Sequence, residues 1–229
     1  MTIETLLSLL QFSDGLFPAG AYAHSFGLET FIDEGRAADA ATIAKLLRAH
    51  LLGSAGPCDA VFAVNALRSS IEGDLDACLA FDLMLDAIKS TAETRDASRQ
   101  LGRQTLRIAS KLIDHPIIGG FARLADSGST PAHHAVVFGI IGAAHGWPLQ
   151  ATAAALLYSS TAAIVGAATR LVPLGQTQAQ QLIADAAPLF ATLSEQAVKL
   201  SVEDAFTFAP ALEIAAMRHA QLEARLFKS

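Results

Sequence analysis

Residues 16–29 read LFPAGAYAHSFGLE, a proline–glycine turn that leads directly into the start of a helix. Ser25 is the predicted N-cap, and Glu29 lies near the position of a capping-box carboxylate. Gly27 would cost about 1 kcal/mol relative to alanine inside a helix, so we expect another backbone to pack closely against it. His24 and Ser25 also offer a base beside a hydroxyl, but adjacent residues rarely direct both side chains at one substrate. The stretch therefore favours a structural or docking role over catalysis.

Helical periodicity covers nearly all of the remaining chain, and no stretch alternates as a strand would. The predicted helices lie at about 2–11, 25–35, 39–53, 57–70, 74–89, 91–114, 116–125, 131–145, 148–171, 178–186 and 211–227. Gly53, Pro188 and residues 201–210 are predicted breaks. The turns are short, and no linker or internal repeat divides the chain. The pattern predicts an all-α fold, a single compact domain of about ten helices over residues 1–229.

Composition favours an interaction protein over an enzyme. Apolar residues make up 52% of the chain and charged residues only 17%, which predicts a large buried fraction or apolar surface that another molecule covers. The net charge of −6 provides no basic field to attract nucleic acid. Cys58 and Cys78 form no CxxC motif, which indicates reduced thiols in a cytoplasmic protein.

Neither apolar segment of the chain has the features of a targeting or membrane segment. The N-terminus lacks a basic region and carries Glu4 before a short apolar run, so a signal peptide is not predicted. Residues 151–169 are long enough to span a bilayer, but alanine, serine and threonine dominate them. A buried core helix is the favoured interpretation of that segment.

A row of cations recurs at every fourth position of the predicted helix over 91–114. Its members are Arg95, Arg99, Arg103, Arg107 and Lys111. One interpretation is a solvated face with pairing between Asp96 and Arg99; the other is a basic strip for an acidic partner, in which Arg99 and Arg103 are the candidates. Gly102 lies within this row and suits a close contact between helices.

Two further runs have unusual combinations of residues. Residues 170–177, RLVPLGQT, form a helix end, a proline stop and a new helix start. Arg170 is favourable near a helix C-terminus, and Gln176 and Thr177 offer exposed polar groups to a partner or to a second copy of the chain. The predicted helix over 211–227 is amphipathic, so it either packs in the core or binds in a groove of another protein.

Motifs of catalysis and of metal or nucleotide binding are absent from the sequence. The seven histidines are scattered and form no HxH or HExxH pattern, so a preformed metal site has little support. Imidazoles from separate helices could still meet around nickel, since that geometry is invisible in a sequence. There is no P-loop, no GxSxG and no dinucleotide fingerprint. We therefore assign no catalytic residue, metal ligand or cofactor.

In their order and spacing, residues 16–29, 170–177 and 208–228 resemble the UreF family of urease accessory proteins, and the resemblance extends over nearly the whole chain. It implies an all-helical, non-catalytic homodimer in the cytoplasm that binds UreD, also called UreH, and a dimer of the GTPase UreG. The resulting complex would deliver nickel to apo-urease during its maturation. No nucleic acid or membrane is implied.

The resemblance also implies which residues bind partners, with the N-terminal segment and the C-terminal helix 211–229 as docking elements. The predicted partner-binding residues are His24, Ser25, Gly27, Glu29, Arg99, Arg103, Arg170, Gly175, Gln176, Thr177, Met217, Arg218, His219, Arg225 and Phe227. Two other classes remain open. One is an independent helical enzyme with a buried histidine or carboxylate site, and the other is a membrane-peripheral interaction protein.

Overall fold

The computed structural model describes residues 1–228, except for the side chain of Tyr22, and all regular secondary structure in this range is helical. The α-helices are α1 (Ile3–Ser13), α2 (Leu28–Asp33), α3 (Ala40–His50), α4 (Val61–Ile71), α5 (Leu75–Ile88), α6 (Ala92–Leu112), α7 (Pro116–Asp126), α8 (His134–His145), α9 (Leu149–Leu171), α10 (Gln176–Lys199) and α11 (Pro210–His219). A π-helix, Leu51–Ala60, joins α3 to α4 without a break. With that continuous segment counted once, the described residues form 10 helices in one domain, which confirms the predicted fold class.

Helix starts follow the capping chemistry that the sequence predicts. Asp39 accepts a hydrogen bond of 2.9 Å from Thr42 N, in a capping box that begins α3. Asp74 accepts one of 2.9 Å from Ala77 N at the start of α5. Each bond satisfies an amide group that has no acceptor within its own helix.

The predicted break between Gly53 and Pro57 is wrong, because the π-helix runs through both residues. Pro57 lacks an N–H, so the Gly53 carbonyl four residues earlier has no donor in a regular helix. That carbonyl accepts a hydrogen bond of 2.6 Å from Phe208 N, and the Pro57 carbonyl accepts one of 3.2 Å from Phe206 N. Gly53 leaves room for this contact, since a Cβ there would lie 2.5 Å from the Phe208 carbonyl oxygen. A distant segment of the chain therefore completes this helix.

Pro188 does not end a helix either, because α10 continues through it to Lys199. The proline removes the donor that would serve the carbonyl of Ala184. Both residues lie on the exposed side of α10, where water can take the place of that donor. The predicted helix end at Ala186 is therefore wrong.

The start of α8 lies at His134, later than the predicted start at Pro131. The buried carboxylate of Asp82, on α5, accepts hydrogen bonds from the backbone amides of Ala132, at 2.6 Å, and His133, at 2.7 Å. Ala132 has a φ of +59°, which no helix contains. A carboxylate from another helix thus supplies the cap and sets the start of α8.

The core lies where α4 packs along α8 and α9 packs along α10. Phe62 and Phe138 are among the largest side chains buried completely in it. Gly139 allows α8 to approach α4 closely, since a Cβ there would lie 2.2 Å from the Ala63 carbonyl oxygen. Small residues at this crossing bring the two backbones together.

By length and composition, α9 could cross a membrane. Half of its most apolar 18-residue window is nevertheless buried inside the protein. It packs against α10, α4 and the π-helix, with Leu157 and Ala168 fully enclosed. This is the placement of the core helix that its alanine-rich sequence predicts.

Candidate partner-docking site

Residues 16–29, called here the N-terminal signature, lead into α2. The N-cap of α2 is Gly27, whose φ is +83°, so the predicted N-cap at Ser25 is wrong. Glycine adopts this left-handed conformation without the steric cost that a side chain imposes. The Ser25 hydroxyl instead accepts a hydrogen bond of 3.4 Å from Glu29 N, inside the first turn of the helix.

The expected close approach of a backbone to Gly27 is confirmed, and the approaching element is α11. A Cβ at Gly27 would lie 3.1 Å from the Leu212 carbonyl oxygen and 3.2 Å from Ala216 N. The Thr30 hydroxyl donates a hydrogen bond of 2.9 Å to the Ala215 carbonyl oxygen. The start of α2 and the helix α11 are therefore packed backbone against backbone.

One buried carboxylate, that of Glu29, joins the N-terminal signature to the C-terminus. Its Oε2 lies 2.7 Å from His219 Nε2 and accepts a hydrogen bond of 3.2 Å from Phe227 N. Its Oε1 accepts a hydrogen bond of 2.6 Å from Leu226 N. Hydrogen bonds to an ionised acceptor are about twice as strong as neutral ones. Three donors from the last eleven residues of the chain thus converge on one side chain.

The helix α11 ends at His219, so the predicted helix over 211–227 is wrong in its second half. The following residues 220–228, called here the tail, form turns and an irregular segment. The tail closes with a hydrogen bond of 2.8 Å from Lys228 N to a backbone carbonyl of the N-terminal signature. Its amides thus find acceptors outside a helix. Ser229, the last residue of the predicted docking element, lies outside the described residues.

The Phe227 side chain anchors the tail. It is 4% exposed and belongs to the apolar cluster that contains Leu28 and Phe31 of α2. The guanidinium carbon of Arg170 lies 4.3 Å from the centre of its ring, in cation–π geometry. Arg170 also donates a hydrogen bond of 3.2 Å to the Gly166 carbonyl near the end of α9, as its position predicts. Residues from all three unusual runs, 16–29, 170–177 and 208–228, therefore come together around the Phe227 ring.

Several side chains around the docked tail remain exposed. Ile214 and Met217, one turn apart on α11, are each about half exposed, and Leu226 in the tail is 63% exposed. Arg225 is exposed beside Leu226. We call these four side chains the terminal face. Arg218 lies next to Met217 and forms an ion pair of 2.9 Å with Glu34 of α2's C-cap.

A small cleft separates the tail from the start of α6. It has a volume of about 250 Å³, and its lining includes His24, His219, Arg225 and Lys228. Burial, with a contribution from Lys228, lowers the pKa of His24 to about 4. The Nδ1 atom of His219 is buried without a hydrogen-bond partner. Within residues 1–228 no three histidine, cysteine or acidic side chains are grouped so that they could hold a metal ion.

The basic strip is engaged within the chain. Arg99 donates two hydrogen bonds of 2.8 Å to the Asp86 carboxylate and one of 3.2 Å to Asp96, which confirms the predicted pairing with Asp96. Asp86 lies 2.8 Å from His133 Nε2. Burial alone would raise the pKa of Asp86, but the hydrogen bonds from His133 and Arg99 hold it below its ordinary value. Arg103 donates a hydrogen bond of 3.0 Å to a backbone carbonyl before α8.

Gly102 of α6 lies against the turn that precedes α8. A Cβ at this position would lie 2.0 Å from the Ala132 carbonyl oxygen and 2.6 Å from His133 C. The expected close contact is confirmed, but the neighbour is a turn and not a second helix. A partner contact of Arg99 and Arg103 stays a prediction.

The corner between α9 and α10 is exposed. The helix α10 begins at Gln176, two residues earlier than predicted, and Gly175 N donates a hydrogen bond of 3.0 Å to the Gln178 side chain. Gln176 and Thr177 face solvent in its first turn. Arg170 is the residue of this run that reaches the tail. A partner contact of the other three predicted residues stays a prediction.

A larger cavity, of about 490 Å³, lies between the N-terminal signature, the π-helix, α6, α9 and α11. Lys89 Nζ lies 2.8 Å from Asp59 Oδ1 in its wall, and His50 Nε2 lies 2.8 Å from Ser160 Oγ. His134 also lines it. Burial lowers the pKa of His50 and that of His134 to about 4 each. Burial opposes the charge of Lys89, but the Asp59 carboxylate raises the pKa of the lysine above its ordinary value.

Sequence reasoning missed the pair of Asp59 and Lys89. One signal was present, because Asp59 is the single charged residue in the apolar stretch 51–64. An acidic side chain in such a stretch is buried and needs a partner. The sequence does not say which cation supplies it, since Lys89 lies at the end of another helix.

Comparisons with known proteins agree along the whole length of the chain. The UreF family model matches residues 37–187. The urease accessory protein UreF of Lachnoclostridium phytofermentans is 33% identical over 224 residues, 98% of each chain. That of Trichodesmium erythraeum is 32% identical over 225 residues, 98% of this chain and 97% of the relative. That of Trichormus variabilis is 30% identical over 229 residues, 100% of this chain and 98% of the relative, and so includes the N-terminal signature and the tail.

The shared sequence thus extends over the helical core and over both segments that form the candidate docking site. The chain belongs to the UreF family of urease accessory proteins.

Proposed function

We propose that this chain is a non-catalytic scaffold in urease maturation. It binds UreD, also called UreH, through the terminal face, and it binds a dimer of the GTPase UreG through a separate surface. The assembly inserts nickel into apo-urease. The chain acts as a homodimer in the cytoplasm, and its net charge of −6 gives no field that would recruit nucleic acid.

The observation that carries this proposal is the docked tail. Burying Phe227 and satisfying two tail amides fixes a segment that has no helical hydrogen bonds of its own. The same arrangement leaves Leu226 and the α11 side chains Ile214 and Met217 in solvent. A preorganised, partly apolar surface of this kind binds a partner without the cost of ordering a loose segment.

The need for a nucleotide-binding partner is consistent with the sequence. The chain has no GxxxxGK[ST] loop to cradle phosphates, so GTP hydrolysis in the assembly belongs to another protein. The role left for this chain is to orient that GTPase against the other components.

Urease activation tests the proposal. Apo-urease is produced with UreD and UreG in cells that lack this chain, and the chain is then supplied from a plasmid. We expect urease activity and urease-bound nickel to rise only when the chain is present with both partners. Full activation without the chain would contradict a role in maturation.

Catalysis in the larger cavity is the alternative function. Its polar groups are not poised for proton transfer near neutral pH, because His50 and His134 have pKa values of about 4 and Lys89 is held as an ammonium by Asp59. This supports the scaffold over an enzyme. Turnover of a small molecule by the purified chain alone, lost in Lys89→Met, would favour the enzyme instead.

A further inference from the structure

We propose that Glu29 is the positioning residue of the tail: its carboxylate fixes Leu226 and Phe227 in the one conformation that presents Leu226 to a partner protein. The inference rests on the proposed docking of the terminal face. It assigns Glu29 a role within the chain, whereas its position in the signature had indicated direct contact with a partner.

The Glu29 carboxylate contacts two backbone amides of the tail and one side chain of α11. Its two carboxylate oxygens take hydrogen bonds of 2.6 Å from Leu226 N and 3.2 Å from Phe227 N, and a contact of 2.7 Å with His219 Nε2. His219 is completely buried and Glu29 nearly so. Water therefore competes poorly for these acceptors. Glu29 thus bonds to the amides of both tail residues.

The chemistry of the site requires a carboxylate. An ionised carboxylate only accepts hydrogen bonds, and both of its oxygens are used here. A glutamine in the same place would keep one acceptor oxygen and turn an NH₂ group toward donors. Glu29→Gln therefore removes at least one charge-assisted bond at almost constant volume.

Holding two successive amides sets the direction of the side chains. Leu226 and Phe227 lie at a bend of the backbone, and their side chains differ sharply in exposure. Phe227 is 4% exposed, whereas Leu226 is 63% exposed. Phe227 is the inward anchor, and Leu226 is the outward contact that the anchor orients.

Charge and apolarity around Leu226 indicate the partner's chemistry. The segment 211–229 carries Glu213 and Glu223 against Arg218, Arg225 and Lys228, a net charge of about +1 in a chain whose total is −6. Arg225 and Lys228 flank the docked residues and are exposed. The terminal face fits an apolar groove rimmed by carboxylates on a partner protein, which in the proposed function is UreD.

Hydrogen exchange tests the intramolecular part of this inference. Amide exchange at Leu226 and Phe227 is compared in the full-length chain, in Glu29→Gln and in the control Glu34→Gln. Glu34 also lies at α2 and pairs with Arg218 of α11, but it does not touch the tail. We expect about tenfold faster exchange of both tail amides in Glu29→Gln, and no change there in Glu34→Gln. Unchanged exchange in Glu29→Gln would overturn the inference.

Binding of purified UreD tests the positioning part. We expect Glu29→Gln to weaken the affinity about tenfold with the helix content unchanged. Leu226→Ala also weakens it, and in the Leu226→Ala background Glu29→Gln should have little further effect, because both act through one side chain. If Glu29→Gln weakened the affinity equally in the unaltered chain and in the Leu226→Ala background, the positioning role of Glu29 would be overturned. If Glu29 only stabilised the fold, Glu29→Gln would lower the melting temperature, and its effect on affinity would not depend on Leu226.

Binding and hydrogen exchange together distinguish failure of the proposed function from failure of the positioning role. If the unaltered chain does not bind UreD, the proposed function fails, while the exchange experiment still decides whether Glu29 holds the tail. If the chain binds UreD and Glu29→Gln frees the tail without loss of affinity, the proposed function stands and the positioning role is overturned.

Discussion

Glu29 and His219 lie 190 residues apart in the sequence and 2.7 Å apart in the fold, joined through Oε2 and Nε2. The pair closes the chain on itself at the point where the N-terminal signature meets α11 and the tail. Both residues are buried, and a buried polar side chain without a partner would be costly, so their contact lowers the cost of burying both. Two segments that separately resemble docking motifs are therefore two halves of one structural unit.

Leu226→Asp should abolish stable binding of UreD with little effect on folding. The side chain is 63% exposed, so its replacement costs the free chain at most about 0.5 kcal/mol, whereas a carboxylate in an apolar, acid-rimmed groove is repelled. Leu112→Asp is the matched control, because Leu112 is 59% exposed at the far end of α6. Pull-down of UreD with each variant checks this. Equal loss in both variants would contradict a specific role of Leu226.

Arg99→Glu should lower the free energy of unfolding by about 2 kcal/mol, discounted here because Arg99 is partly exposed. The substitution breaks two hydrogen bonds to Asp86 and places like charges beside it. Arg107→Glu, on the exposed face of the same helix, should change stability by less than about 0.5 kcal/mol. Urea denaturation measures both. Unchanged stability of Arg99→Glu with lost partner binding would instead support the basic strip as a binding surface.

Gly102→Ala should cost about 3 kcal/mol of stability, because the new methyl group meets the Ala132 carbonyl oxygen at 2.0 Å. Gly119→Ala is the control: it lies in α7, and the nearest atom to its Cβ would be the Arg123 Nη1 atom at 3.7 Å. That variant should be neutral or gain up to about 1 kcal/mol from helix propensity. Thermal unfolding of both variants measures the difference. Similar melting temperatures would show that the turn before α8 moves freely.

Stability should fall as the pH drops from 6.5 to 4. The folded-state pKa of His50 and that of His134 are lowered to about 4, so in this window the unfolded chain binds protons that the folded chain does not. Each group contributes on the order of 3 kcal/mol across the window, which ends once the folded chain also protonates. Urea denaturation at stepped pH measures the slope, and His50→Gln should flatten it. An identical slope in that variant would contradict a neutral His50 in the folded chain.

The fold class and many helix bounds followed from local chemistry that the sequence contains. The predicted helices over 39–53 and 74–89 begin with Asp39 and Asp74, and each of these side chains caps its helix. The alanine-rich helix α9 is buried in the core. Close packing at Gly27 was predicted from the cost of glycine in a helix, and close packing at Gly102 from its position among polar residues of the basic row. These predictions used only residues that lie a few positions apart in the sequence.

The errors at Pro57, at the start of α8 and in the tail arose where a distant segment satisfies a backbone group. Pro57 would have to end a regular helix, but Phe208 supplies the hydrogen bond that the Gly53 carbonyl lacks. The tail was predicted to be helical, but the amides of Leu226 and Phe227 have Glu29 as their acceptor. A one-dimensional pattern does not contain such long-range partners.

The buried contacts of the candidate docking site could not be predicted for the same reason. The sequence singled out Glu29, His219 and Phe227, yet as separate candidates for contact with a partner. Their mutual contacts depend on the packing of α2 against α11, which only the fold reveals. The exposed residue between them, Leu226, carried no motif and was missed.

Size-exclusion chromatography with light scattering, on the purified chain with UreD and UreG added singly and together, tests the scaffold most directly. We expect the chain alone to have the mass of a homodimer, and the mixture to elute as one complex of fixed stoichiometry containing all three proteins. A monomer that elutes separately from both partners at every ratio would contradict the account.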